Sequence, residues 1–185
     1  FRMKLDKKPD FSGFATKIGI VCTDGRTIMD GAFAHQDQKK VPLVWAHNHS
    51  DPSNILGHVY LEHRAGEGVY AYAYFNDTPQ GLNGRQLVQH GDVESLSIYA
   101  NRLKEDPQKR VRGGDIKEVS LVLSGANEGA KIEHVFMQHN DGTLEEMDGE
   151  AIIALDIPLE HSDVEQEDPP AEDPPAEDPP VEDPP

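Results

Sequence analysis

The chain has 185 residues and a formal net charge of −17, but the charge is unevenly spread. All 17 Lys and Arg lie within residues 1–131 with fewer than half of the 34 Asp and Glu, so the folded part is near neutral and carries no general acidic surface. The only cysteine, Cys22, excludes an intrachain disulfide and fits a reducing compartment, while no apolar run reaches the roughly 20 residues of a membrane helix and no secretory signal pattern occurs.

The composition divides the chain into a basic N-terminal extension (1–10), one domain (11–160) and a linker (161–185). The chain starts at Phe1 rather than Met and stops inside a repeat, which reads as a trimmed form of a longer protein. DFSGFATKIGIVCTDGRTIMDGAF predicts two strands around a turn at Asp24-Gly25, and a helical or irregular piece follows from Phe33. VPLVWAHNH reads as a buried strand running into a polar loop, and SDPSN as a turn cluster. ILGHVYLEH and GVYAYAYF predict two strands joined at RAGEG. In the second, Tyr70, Tyr72 and Tyr74 face one way and Val69, Ala71, Ala73 and Phe75 the other. Bulk on both sides points to a closed barrel or to a strand covered by helices.

DTPQGLNGRQLVQHG carries helix signals: Asp77 or Thr78 as N-cap, Pro79 in the first turn, Gly91 at the C-terminal cap. Two strands follow, over Val93–Leu103 and Ile116–Leu123, and ANEGAKIEHVFMQ predicts a turn and one more strand. DGEAIIALDIPLE reads as a weakly amphipathic helix. The fold class is mainly β, an antiparallel barrel with a few packed helices. Beyond His161 the unit AEDPP recurs. Like charges and Pro-Pro pairs there leave nothing to bury, so the tail reads as a disordered spacer.

Alternation puts Ser95, Ser97 and Tyr99 on one side of their strand and Ile116, Glu118 and Ser120 on one side of theirs. Side by side, the two strands bring Ser97 and Glu118 to a common face. A serine nucleophile also needs a base, and the candidate is His47, with His49 as the rival two residues on. The spacing of these residues matches no local motif, so two other chemistries stay open. His47, His49, His58 and His63, with Asp51, form a histidine-rich stretch of the kind that binds zinc, although no stronger zinc signature accompanies it. Alternatively the barrel is an inactive assembly module that binds through itself and its acidic tail. The basic loop RLKEDPQKRVRGGDIK has no aromatic partners, so no nucleic-acid role is expected from it.

Four segments, in order, resemble the tailed-bacteriophage prohead maturation proteases, a family related in fold to the herpesvirus assemblins. They are IMDGAFAH, VPLVWAHNHSDPSNILGHV, GDVESLSIYA and IKEVSLVLSGANEGAKI, and the likeness covers roughly residues 11–132. Tyr99-Ala100 stands where that family more often has Gly-Phe, and Gly125 where it often has Pro. The resemblance implies an assemblin-like barrel and a serine endopeptidase with His47 as base, Ser97 as nucleophile and Glu118 as orienting carboxylate. It implies that Ser124, Gly125, Ala126 and Asn127 form an oxyanion loop, and that neither metal nor cofactor is needed. It further implies action inside the procapsid in the host cytoplasm on scaffolding protein, on the N-terminal segments of the major capsid protein and on itself, by a homodimer without nucleic-acid or membrane partners.

Overall fold

Period-two alternation builds most of what the computed structural model describes, which is residues 7–138 and 144–148. The strands are β1 (Phe11–Lys17), β2 (Thr27–Ile28), β3 (Lys40–Trp45), β4 (Ile55–Arg64), β5 (Gly68–Phe75), β6 (Ser95–Glu105), β7 (Arg110–Val122), β8 (Ile132–Gln138) and β9 (Leu144–Asp148). One α-helix, α1 (Pro79–His90), joins β5 to β6. The ladder runs β2-β7-β3-β4-β5-β1-β8-β9, with β6 paired to β7 off that path.

The β4–β5 pairing shows how the core is made. Val59 lies opposite Ala73 and Leu61 opposite Ala71, all four fully buried. Leu43, Leu96, Val119 and Leu121 complete the same interior. Each such aliphatic side chain contributes about 1.5–3 kcal/mol on burial. The opposite face of β4, β5 and β1 is aromatic, with Tyr70 packed edge-on to Phe14 at 5.0 Å and His58 stacked on Tyr74 at 5.1 Å. Arg64 closes this face, lying 3.4 Å over the Tyr70 ring while bonding Glu62 and the Tyr72 hydroxyl. One side of β5 is therefore buried in the aliphatic core, and the other is covered by rings and one guanidinium.

The sheet is open, which corrects the expected closed barrel. Among the described residues β6 and β8 meet only at the bridge of Ser95 and Lys131, flanked by bonds from Leu96 N to Ala130 O and from Ile132 N to Glu94 O. Farther along, β8 has no edge to spare. β1 holds one side of it and β9, a strand the sequence did not signal, holds the other.

The turn at Asp24-Gly25 forms as expected, with Gly25 at φ 82° and its N–H bonded to Cys22 O. The two sides of the turn meet at the Val21–Thr27 bridge and the Gly19 N to Ile28 O bond, but β1 itself joins β5 and β8, and β2 runs parallel to β7. Helix α1 carries the expected caps. Thr78 Oγ1 accepts from Gly81 N at 3.2 Å, and Gly91 closes the helix at φ 82°. Most of the helix expected from Asp148, and all of the linker 161–185, lie outside the described residues.

Candidate active site

Strand β7 stands between two partners and fixes the site. On one side it pairs parallel with β3, Val44 opposite Ser120 and Trp45 opposite Leu121. On the other it pairs antiparallel with β6, Ser97 opposite Ser120 and Tyr99 opposite Glu118. Directly opposed residues share a face, so Ser97, Tyr99, Glu118 and Ser120 project together, as the alternation required.

The histidine comes from the end of β3. After Trp45 the chain turns sharply, with Ala46 at φ 48° and His47 at φ 56°. Left-handed backbone costs a non-glycine residue on the order of 1–3 kcal/mol. Two bonds to β7 hold the turn: Ala46 N donates to Leu121 O at 2.9 Å, and His47 N donates to Ser120 Oγ at 3.0 Å. The imidazole is thereby carried back over β7.

There it spans the other two groups. His47 Nδ1 lies 2.5 Å from Glu118 Oε1, and His47 Nε2 lies 2.9 Å from Ser97 Oγ. A carboxylate can only accept, so Nδ1 carries the proton, and Nε2 presents its lone pair to the Ser97 hydroxyl. Glu118 is 2 % exposed, a burial that an ionised carboxylate tolerates only with donors around it. One donor is the imidazole. Another is Ser120, itself fully buried, whose hydroxyl donates to Glu118 Oε2 at 2.7 Å. Ser120 Oγ thus accepts a hydrogen bond from the His47 backbone N–H and donates one to Glu118. Sequence reasoning put Ser120 on the right face but gave it no part; the available signal was a second hydroxyl two residues beyond the carboxylate.

The rival, His49, is exposed. Its Nε2 lies 3.8 Å from Glu118 Oε1 and its ring meets Tyr99 edge-on at 5.2 Å. The strand does not continue through it, so the two histidines do not share a strand face. His58 sits on Tyr74, and the His63 backbone N–H donates to Asp37, so the histidine-rich stretch is dispersed. Among the described residues no three His, Cys, Asp or Glu side chains are grouped so as to hold a metal.

The segment 124–127 passes beside Ser97. Gly125 lies against β6: a Cβ there would stand 2.5 Å from Leu96 O. Ala126 and Asn127 line the same cleft as Ser97. The Asn127 side chain is committed elsewhere, its Nδ2 donating to Lys17 O and Thr16 Oγ1, so this amide is not the oxyanion donor. Ser124 is exposed.

The sequence profile of the caudovirus prohead serine proteases matches residues 2–145. No curated protein and no solved structure matches the chain.

Proposed function

The chain belongs to the caudovirus prohead serine proteases, which mature phage capsids inside the procapsid, and from that premise we propose that Ser97 is its nucleophile, His47 its general base and Glu118 the group that orients the base. The observation that carries this reading is the single imidazole within 2.5 Å of Glu118 and 2.9 Å of Ser97.

Ser97 Oγ attacks the scissile carbonyl while His47 Nε2 takes its proton. The imidazolium then protonates the leaving amine, and the acyl group stays on Ser97. Water, deprotonated by the same nitrogen, attacks the ester and releases the second product. Glu118 holds Nδ1–H, which keeps the useful tautomer and stabilises the imidazolium. A carboxylate does this at the position where assemblins carry a histidine. Backbone N–H groups of residues 124–127 stabilise the oxyanion, a role supported by Ala126 and Asn127 lining the cleft beside Ser97. His47 is preferred to His49 because His49 approaches the carboxylate only at 3.8 Å.

Among capsid proteins, the substrates are scaffolding protein, the N-terminal segments of the major capsid protein, and this chain itself, with a homodimer as the working form. Intact mass of capsid protein after incubation with wild type or Ser97→Ala tests this reading. The variant is expected to cleave roughly 10⁴–10⁶-fold more slowly. Cleavage by Ser97→Ala at the wild-type rate would remove Ser97 from the mechanism. An inactive assembly module would bind capsid protein yet take no label from a serine-directed phosphonate.

A further inference from the structure

Tyr99, 44 % exposed, lines two clefts, one of which contains Ser97. One, of about 400 Å³, lies beside His49 and Glu118. The other, of about 360 Å³, contains Ser97 and is walled by Ala126 and Asn127. Its floor is Ile28, Phe33, Leu103 and Val111.

Acyl transfer assigns the two sides. The imidazole must hand its proton to the leaving amine, so the chain after the scissile bond lies toward His47. The cleft that holds Ser97 and the 124–127 segment, and is lined by none of residues 46–49, faces the acyl side.

Its polar groups are already satisfied by one another. At the rim Arg26 bonds both Asp24 and Glu105 at 2.8 Å, and Lys109 Nζ reaches Asp24 O. Inside, Thr16 and Asn127 bond each other. Cys22 also faces the cleft, and burial raises its thiol, keeping it neutral. A charged side chain entering would lose water and meet a rim whose two cations and two carboxylates balance, whereas an apolar one would meet the apolar floor.

Resting on the serine-protease reading, we propose that this cleft is the acyl-side specificity pocket, and that it selects an uncharged aliphatic or aromatic residue immediately before the scissile bond.

The test uses the full chain and peptides built on one cleavage site mapped by mass spectrometry, with Leu, Phe, Lys or Glu before the bond. Leu and Phe peptides are expected to give kcat/KM roughly 10-fold or more above Lys and Glu. Cys22 is the chain's only thiol. Complete alkylation of it with a bulky maleimide, at a pH high enough to ionise it, is expected to cut cleavage of the Leu peptide by about 10-fold or more. Wild type taken through the same pH step with maleimide quenched beforehand by excess thiol should keep its rate, and a small phosphonate should still label Ser97 in the alkylated protein. Equal kcat/KM across the four peptides, a preference for Lys or Glu, or full activity after alkylation overturns the pocket. Those results leave the nucleophile assignment standing as long as Ser97→Ala is inactive; only an active Ser97→Ala variant removes both.

Discussion

The β4–β5 pair and the β6–β7 pair are both antiparallel ladders of the same sheet, yet they are built to different ends. Between β4 and β5 the register runs from Gly57–Phe75 to Arg64–Gly68 without a shift, and the buried side chains facing the core are apolar. Between β6 and β7 the register shifts three times, and β7 buries Glu118 and Ser120. Burying a carboxylate and a hydroxyl in a sheet that already has a large apolar interior does nothing for packing. Their bonds converge on His47, Glu118 at the imidazole and Ser120 at the backbone N–H, and that convergence is what the second ladder supplies.

Glu118→Gln should separate the two ladders most widely. The amide cannot hold the imidazole in its useful tautomer, and turnover is expected to fall by about 10⁴-fold while thermal melting barely moves. His47→Ala should match or exceed that loss, whereas His49→Ala should cost less than about 10-fold. Equal losses from the two histidines would undo the assignment of the base.

The converse comes from β4. Leu61 is fully buried, and Leu61→Ala is expected to destabilise the protein by about 2–5 kcal/mol in denaturant titrations, with the rate per folded molecule unchanged. A smaller effect is expected at Ser120. Ser120→Ala removes a donor to a buried carboxylate and the acceptor of the His47 N–H. The loss of roughly 1.5–3 kcal/mol corresponds to about 10–100-fold in kcat, with the acid limb of the pH–rate profile moving upward. A fall in stability with an unmoved pH profile would make Ser120 a packing residue only.

The smallest effect belongs to the aromatic face. Burial, and secondarily Lys40, lowers the His58 pKa below its ordinary 6.5. Below that value the unfolded chain binds the proton more readily, so stability falls as pH drops through the folded-state pKa and is retained above about 6.5. His58→Phe should flatten melting temperature against pH in that window and leave cleavage unchanged at neutral pH.

What could be read from sequence follows from range. Alternation is local, so Ser97 and Glu118 could be set on one face from the residues alone, and the caps at Thr78 and Gly91 marked α1 directly. The reach of His47 could not be read that way. It depends on β3 lying parallel to β7, a pairing between distant segments, and on left-handed backbone at Ala46 and His47, which neither residue advertises. The open sheet was hidden for a related reason. β9 is the run Leu-Glu-Glu-Met-Asp, whose charges give no strand signal, yet it takes the edge of β8 that a closed barrel would need.

The seam beside β6 has one more consequence. Among the described residues this strand has a single ladder, to β7, and beyond the bonds at Ser95 and Leu96 its other edge carries none. Unprotected edges stick to those of neighbouring molecules, a hazard for any protein crowded with its own copies. From Asn101 onward the edge is spoiled: the ladder is irregular as far as Glu105, Arg102 sits at φ 51°, and Lys104 brings a charge. The stretch from Ser97 to Tyr99 keeps its register with β7, so the border turns irregular only past the serine.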